Sequence, residues 1–339
     1  MKKLMNKPAD MVKDMFAGIE KCHGGRLVRV AGLDTALMRR GAPAPGRVGV
    51  LLGGGSGHEP MFIGFLGEGL ADVVVQGKVF ASPSPDLIFK AAQAVDSGSG
   101  VLFLHGNYAG GILNFKTAEE LCAGAGIQVR TIRVSDDIST GPDLESRRGV
   151  TADLYTVKTA GAAAALGLSL EEVTRAALKA MLSCRTLGIG LTPGTLPETG
   201  LPIFELGPDE IEVGISAHGE AGGRRSRLAP ARELAAFIME KIVDDFPLER
   251  GDEVALLVNG TGSTTMMELF IMAKEAHEYL EARGVKVWAS DVGEFLTTQE
   301  MGGCHLTLMK LDDELKKYYL APCESISYTR PPGRDGKEA

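Results

Sequence analysis

Short apolar runs that are typical of buried strands alternate with helix-like segments along the first half of the chain. The strand-like runs lie at 47–52, 73–80, 101–105, 127–134 and 189–191. Helix-like segments lie between them, notably at 85–95 and 118–125. In βαβ units of this kind the crossover helix makes neighbouring strands parallel. This half of the sequence therefore predicts an α/β domain built on a largely parallel sheet.

The alternation returns in the second half after a change of composition. Glycine and proline interrupt the pattern at 186–206, and we place a domain boundary at 190/191 within this stretch. Beyond it we expect strands at 211–216, 253–258, 285–290 and 305–311, and helices at 231–244 and 267–282. The prediction is two α/β domains, each a largely parallel sheet with flanking helices. They cover residues 1–190 and 191–330, and a frayed tail follows at 331–339.

Two helix starts carry a capping box, in which serine or threonine is followed three residues later by glutamate. Ser169 and Glu172 open a helix that reaches about residue 182, and Thr265 with Glu268 opens another. An alanine-rich segment at 159–166 precedes the first box. Its small side chains predict helices that pack closely together.

Composition and charge exclude several classes of function. The chain has 339 residues, is 44% hydrophobic and has a net charge of −8 with no long basic run, so nucleic acid is not an expected partner. No apolar run approaches the length of a membrane span. The five cysteines stand singly, which argues against a disulfide framework or a zinc site. We expect a cytoplasmic protein with reduced thiols, no bound metal and no membrane partner.

A glycine-rich run, Gly-Gly-Gly-Ser-Gly-His-Glu-Pro at 53–60, directly follows the first buried strand. Open α/β sheets bind ligands at the carboxyl ends of such strands. The run fails three known motifs at His58, because a dinucleotide fingerprint and a nucleophile elbow need glycine there and a Walker loop needs a closing Gly-Lys-Ser/Thr. Two interpretations stay open: a ligand-binding loop with a functional histidine, or a structural turn.

Histidine is the other residue type that points to chemistry, since its imidazole exchanges protons near neutral pH. Of the six histidines, three have contexts typical of structural or solvated side chains: His23, His277 and His305. His218 ends a strand between glycines, two residues before Glu220. Three arginines that could hold phosphates or an acidic partner follow closely: Arg224, Arg225 and Arg227.

Several motifs in register resemble those of the dihydroxyacetone kinases, in their substrate-binding subunit or domain. They are the 53–60 run, the Asn-Tyr…Asn-Phe frame at 107–115, Arg-Arg-Gly-Val at 147–150 and His-Gly-Glu at 218–220. The resemblance extends from residue 1 to about 314. It implies two α/β domains, a homodimer, and a nucleotide-binding kinase subunit as partner. ATP or ADP and Mg²⁺ would be held by that partner, and this chain would bind no cofactor.

The resemblance also implies roles for particular residues. His218 would bind the ketone of a small substrate covalently, as a hemiaminal through Nε2. His58 would hydrogen-bond the substrate and assist deprotonation of the hydroxyl to be phosphorylated. Gly55, Ser56 and Gly57 would line the pocket with backbone N–H groups. The arginines at 224–227 would be candidates for docking the partner or its phosphates.

The chain departs from the family pattern at two positions in the 107–115 frame. The family has a substrate-contacting lysine where this chain has Gly106, and a catalytic aspartate where it has Gly111. Both glycines would enlarge the pocket for a bulkier ketose. His105 is a candidate replacement, but strand alternation would turn it to the other face if Gly106 faces the ligand. The interpretations are a kinase subunit for a small ketone or ketose, a non-catalytic ketone sensor that regulates a kinase complex or transcription factor, and a scaffold.

Overall fold

The structure is a computed structural model that describes residues 2–220, 222 and 224–333. Of the tail expected at 331–339, residues 334–339 lie outside the described residues. The strands are β1 (Leu27–Arg29), β2 (Ala36–Arg39), β3 (Gly49–Ser56), β4 (Gly67–Glu68), β5 (Val73–Val79), β6 (Val101–Gly106), β7 (Val129–Val134), β8 (Cys184–Thr192), β9 (Glu210–Val213), β10 (Arg224–Arg227), β11 (Glu253–Gly260), β12 (Lys286–Gly293), β13 (Gly302–Lys310), β14 (Cys323–Ser325) and β15 (Thr329–Arg330). The helices are α1 (Met11–His23), α2 (Pro85–Val95), α3 (Ala109–Gly124), α4 (Ala152–Ala165), α5 (Leu170–Leu182), α6 (Ala231–Asp245), α7 (Met266–Ala282) and α8 (Asp313–Leu320).

The first sheet has the strand order β1-β2-β5-β3-β6-β7. Its four strands from β5 to β7 are parallel, and β1 and β2 add an antiparallel edge. Strand β3 lies between β5 and β6, so the chain leaves β3 toward one side and later returns on the other. A change of direction of this kind opens a crevice at the carboxyl ends of the strands, where ligands bind. The predicted parallel sheet is confirmed here.

The second sheet is mixed, with the order β10-β9-β8-β13-β11-β12. Only β11 and β12 are parallel, and the other pairs are antiparallel. The two α/β units are confirmed, but the expectation of a largely parallel sheet in the second was wrong. The reason is the short connection from Gly293 to Gly302, which has no crossover helix and returns the chain in the opposite direction.

The two sheets share one inner layer of helices. Helix α4 is enclosed on nearly all sides, and every residue from 152 to 164 is buried. Its core cluster contains Leu52 and Leu104 from the first sheet and Leu257 and Met309 from the second. Helices α2 and α3 cover the other face of the first sheet, and α6 and α7 that of the second. The result is a stack of five layers, in which the alanines of α4 and α5 allow the close packing that the sequence indicated.

Local signals in the sequence position these helices. Both predicted capping boxes form, because the Ser169 hydroxyl and Glu172 carboxylate each bond the other residue's backbone N–H, as do those of Thr265 and Glu268. Strand β8 already belongs to the second sheet, while α8 packs on α4 and β14 pairs with β4. The chain end therefore returns to the first unit. Among the described helices, none has both the length and the apolar character that a bilayer crossing needs.

Candidate functional site

A cavity of about 410 Å³ lies at the carboxyl ends of β3 and β6. Both histidine motifs reach it, with His58 from the turn after β3 and His218 from the loop after β9. The ring centroids of the two histidines are 4.8 Å apart and the rings are nearly perpendicular, at 77°. The structure thus brings together two histidines that are far apart in the sequence. A ligand between β3 and the His218 loop would contact both rings.

The glycines at 53–55 belong to strand β3 itself rather than to a loop that follows it. A Cβ on Gly54 would lie 2.2 Å from the Phe62 ring, and one on Gly53 would lie 2.7 Å from the Val75 carbonyl oxygen. Only glycine leaves room for both neighbours. The glycine run therefore lets aromatic rings pack against bare backbone beside the cavity.

His58 is buried and its orientation is fixed. Its Nδ1 lies 3.0 Å from the Thr297 carbonyl oxygen. Because a carbonyl oxygen only accepts, Nδ1 carries the proton and donates a hydrogen bond to that oxygen. Nε2 is then the unprotonated nitrogen, and it is buried without a partner among the described residues. Burial, with a smaller effect from the nearby His218, lowers the pKa of His58 to about 3. His58 is therefore a neutral imidazole with a free lone pair for a ligand hydroxyl.

The segment 297–299, between β12 and β13, joins the two histidine loops. Thr297 donates its N–H to the His58 carbonyl at 3.0 Å, and Gln299 donates to the Gly57 carbonyl at 2.9 Å. The Thr298 hydroxyl donates to the Ala217 carbonyl at 2.7 Å. Sequence reasoning missed this segment, because most of its contacts involve backbone atoms that leave no residue signature.

Asn259, near the end of β11, holds this joining segment in place. Its Oδ1 accepts the N–H groups of Phe295 and Leu296 at 2.8 and 2.9 Å, and its Nδ2 donates to the Leu296 carbonyl at 2.7 Å. The neighbouring Thr261 carbonyl accepts the Thr298 N–H at 2.9 Å. Asn259 and Thr261 thus hold the joining segment in place without lining the cavity themselves.

His218 is presented by a compact turn at 216–220. The Ser216 hydroxyl accepts the N–H groups of His218 and Glu220, each at 3.2 Å, and donates to the Glu220 carboxylate. Glu220 Oε1 lies 3.4 Å from His218 Nδ1, but the two atoms are not aligned for a hydrogen bond. Nδ1 therefore faces the carboxylate, and Nε2 lies on the opposite side of the ring.

Arg148 ties this turn to the first unit, which gives the Arg-Arg-Gly-Val motif a physical role. It donates to the carbonyls of Gly214 at 2.7 Å and Glu220 at 3.2 Å, and to the Asp137 carboxylate at 2.9 Å. Hydrogen bonds from a charged guanidinium are stronger than those between neutral groups, so they fix the position of the turn more firmly. Arg148 is therefore a positioning residue for His218.

Aromatic rings form much of the cavity wall. Tyr108 packs edge-on against His218 with centroids 4.4 Å apart, and Phe80 lies 5.1 Å from His58 and 5.7 Å from His218. Among the described lining residues there is no lysine or arginine. The wall therefore favours a small uncharged ligand over an anion such as a sugar phosphate.

His105 lies in the cavity together with Gly106 and Gly111, contrary to the alternation argument. Its ring stacks on Phe115 with centroids 4.3 Å apart, and Nδ1 donates to the Gly106 carbonyl at 2.8 Å. A Cβ on Gly111 would lie 3.2 Å from that Nδ1. The imidazole thus occupies space beside the position where the family pattern has aspartate. Gly106, at the end of β6, is where the strand alternation stops.

Not every expected lining residue reaches the cavity. Gly55 does, but Ser56 and Gly57 line a different surface cleft, beside the N-terminal segment. The Gly57 N–H is already bonded to the Glu59 carboxylate at 3.0 Å, and the Ser56 hydroxyl to the Gly77 carbonyl at 2.8 Å. The arginines at 224–227 lie on the exposed edge strand β10, away from the two histidines.

Asp153, in the first turn of α4, is a cavity residue that sequence reasoning missed. It is 2% exposed, and Oδ1 has no hydrogen-bond partner among the described residues. Burial and the nearby Asp136 carboxylate raise its pKa well above the ordinary value. The available signal was a single acidic residue near the start of an apolar helix, which is also the ordinary position for a charge that favours the helix dipole.

Burial of the histidines predicts acid-sensitive stability. The pKa of His305 is lowered to about 4, mainly by burial, whereas an unfolded histidine titrates near 6.5. The unfolded state therefore binds more protons below about pH 6.5, and stability from the neutral ring is lost as the pH falls toward 4. In urea unfolding, we expect the stability advantage of wild type over His305→Gln to shrink by about 2 kcal/mol between pH 7.5 and 5.0. Parallel pH curves for the two proteins would contradict a buried neutral ring.

The fold and the cavity together define a two-unit α/β protein with an enclosed pocket between two histidines. Residues 17–327 match the model of the Dak1 domain, and the chain belongs to this family. It is 43% identical over 316 residues to the "PTS-dependent dihydroxyacetone kinase 1, dihydroxyacetone-binding subunit DhaK" of Listeria innocua, covering 93% of this chain and 95% of that protein.

Two further comparisons show how varied its relatives are. A "D-erythrulose kinase" of Mycolicibacterium smegmatis is 36% identical over 332 residues, which are 97% of this chain and 57% of that enzyme. The solved structure of the "Dihydroxyacetone kinase operon co-activator Dha-DhaQ" superimposes with a TM-score of 0.88 at 30% identity, covering 94% of this chain and 98% of the other. Similar chains thus include kinase subunits or domains and a co-activator.

Proposed function

We propose that this chain is the substrate-binding subunit of a dihydroxyacetone-type kinase and captures a small ketone or ketose on His218. The observation that carries the proposal is the placement of His58 and His218 on one cavity, with ring centroids 4.8 Å apart. One histidine can hold the carbonyl carbon while the other contacts a hydroxyl of the same small molecule. The family and the subunit name of the Listeria innocua relative support this assignment.

The capture step is an addition of imidazole to the ketone. Nε2 of His218 bonds to the carbonyl carbon, the C=O π bond breaks, and the oxygen takes a proton. The imidazole releases its Nδ1 proton on the side facing Glu220, so that the hemiaminal is neutral. A carboxylate 3.4 Å from Nδ1 stabilises the positive charge that develops on the ring during attack. Capture of this kind selects carbonyl compounds over polyols.

The transfer step needs a base at the hydroxyl that is phosphorylated. His58 Nε2 is unprotonated and buried, and it can accept that proton as the oxygen attacks the phosphoryl donor. Among the described lining residues there is no lysine or arginine to hold phosphates, so we place the phosphoryl donor on a partner subunit. That partner would either bind ATP and Mg²⁺ or be recharged by a phosphotransferase system. The exposed arginines of β10 are candidates for docking that partner.

The proposed assembly also includes a second copy of this chain. Helix α7 exposes a group of apolar side chains that a monomer would leave in water. These are Met266, Met267, Phe270 and Ile271, and Leu228 is likewise exposed. We propose that this face forms the homodimer interface. Five free cysteines, four of them buried, support a reducing compartment, and we place the protein in the cytoplasm.

A ketone-sensing regulator is the second candidate. Two observations favour it: the similarity to the Dha-DhaQ co-activator and the absence of side chains at Gly106 and Gly111. A sensor would keep capture on His218 and lose phosphoryl transfer.

Phosphate transfer in the presence of a partner separates the two functions. The chain is mixed with the phosphoryl-donor subunit of a dihydroxyacetone kinase, and phosphorylation of dihydroxyacetone and erythrulose is followed by phosphorus NMR. A kinase subunit gives ketone-dependent turnover. Capture of every ketone without turnover of any would instead establish the sensor.

A variant restoring the family carboxylate adds to this test. Because a Cβ at Gly111 meets His105, Gly111→Asp alone is crowded, and the double variant with His105→Ala makes room. If the missing base limits the rate, the double variant should turn over dihydroxyacetone about ten- to a hundredfold faster than wild type. His105→Ala alone is the control, and an equal gain in it would exclude the carboxylate as the cause.

A further inference from the structure

Hydrogen bonding among the described residues does not account for the Asp153 carboxyl. Asp153 is the one acidic residue of α4, and all of its neighbours in the helix from 152 to 164 are buried. A buried polar atom without a partner destabilises the folded state, so an apolar side chain would serve packing better. Its Oδ1 has no partner in the described part of the chain, and the residue lines the histidine cavity. The missing partner therefore belongs in the cavity.

The neighbouring carboxylate determines which form Asp153 takes. Asp136 accepts the N–H groups of Val150 and Ala152 at 2.8 and 2.9 Å and the Thr186 hydroxyl. These donors oppose the effect of burial, which raises the pKa of Asp136, and burial together with the Asp136 carboxylate raises the pKa of Asp153. A carboxyl held in its neutral form both donates and accepts a hydrogen bond, which matches the hydroxyl of an alcohol.

The rest of the cavity limits the ligand to uncharged molecules. Burial lowers the pKa of His105 to about 4, so this ring is neutral like that of His58. Nδ1 of His105 donates to the Gly106 carbonyl, which leaves Nε2 as an acceptor. Where the family has lysine and aspartate, Gly106 and Gly111 leave room, and the whole cavity measures about 410 Å³. Volumes of this size accommodate whole metabolites.

We propose that the Asp153 carboxyl is a specificity-determining group that hydrogen-bonds a hydroxyl on the part of a ketose that neither His58 nor His218 holds. The site then prefers uncharged tetruloses and pentuloses to dihydroxyacetone. This inference rests on the proposed function, since it requires a ketose anchored on His218. It assigns the discrimination between ketoses to α4, away from the two histidine loops.

Calorimetric titration with three uncharged ketones tests the assignment. The probes are hydroxyacetone, dihydroxyacetone and erythrulose, which carry one, two and three hydroxyl groups, and erythrulose also has one more carbon. Wild type is compared with Asp153→Leu, which cannot hydrogen-bond, and with Asp153→Asn, which keeps a donor and an acceptor. We expect Asp153→Leu to weaken erythrulose binding about tenfold or more and hydroxyacetone binding less than about twofold. Asp153→Asn should stay within about threefold of wild type for all three.

Urea unfolding of the same variants supplies a readout of any structural role. Since Leu removes an unpartnered carboxyl, Asp153→Leu should be at least as stable as wild type. Equal weakening for all three ketones, unchanged erythrulose binding, or a clear loss of stability would each overturn the specificity role. Failure of the proposed function gives a different result, because wild type itself would then bind none of the ketones.

Discussion

Replacing His218 by alanine should abolish ketone capture. The adduct depends on Nε2 of His218, which lies on the side of the ring away from Glu220. Loss of the bond should weaken ketone binding by at least about a hundredfold, equivalent to about 2.7 kcal/mol. Carbon NMR with ketone labelled at the carbonyl carbon measures it directly, since capture converts a trigonal carbon into a tetrahedral one.

The matched control for this experiment is His277→Ala, which removes a histidine from α7 outside the cavity lining. It should form the adduct as wild type does. A tetrahedral carbon signal of equal size in His218→Ala would show that the ketone is not held by this residue. The capture step would then have to be abandoned.

Replacing His58 by glutamine should separate catalysis from capture. The labelled ketone should still give the tetrahedral signal, while phosphoryl transfer falls about 10²- to 10⁴-fold, the usual cost of removing a positioned base. The expectation follows from the buried Nε2 and from Nδ1 being fixed on the Thr297 carbonyl. The measurement compares kcat with adduct yield for a ketone that wild type phosphorylates.

Thr297→Val is the control that this geometry offers. It deletes the hydroxyl bonded to the Glu59 carbonyl but keeps the backbone carbonyl that orients His58. It should therefore retain most of the turnover. A parallel loss of adduct and turnover in His58→Gln would make His58 a binding residue, and unchanged turnover would exclude it as the base.

Sequence reasoning predicted the parts of this fold that depend on local pattern. Residue type and spacing predict the capping boxes, the buried strands and a ligand site at the carboxyl end of β3. The direction of β13 does not, because an antiparallel strand and a parallel one bury the same apolar residues. The wrong expectation for the second sheet came from this ambiguity.

Some residues of the candidate site could likewise be predicted from the sequence, and others could not. His58 and His218 stand out as motifs, whereas Thr297 acts through its carbonyl, which every residue possesses. Ser56 and Gly57 were expected in the pocket, but Ser56 still belongs to β3 and bonds the Gly77 carbonyl, and the Gly57 N–H bonds the Glu59 carboxylate. Asp153 could not be recognised as a site residue from the sequence, because the lack of a hydrogen-bond partner for its Oδ1 depends on the tertiary structure.

The shared inner layer bears on how a ligand enters. Since α4 is buried against both sheets, swinging the two units apart like a hinge would expose the apolar side chains that it packs against them. Entry and exit therefore depend on the small loops around the cavity mouth, and the scaffold itself stays rigid. In the proposed kinase, a partner docked at the cavity mouth would then shield the captured ketone from water during phosphoryl transfer.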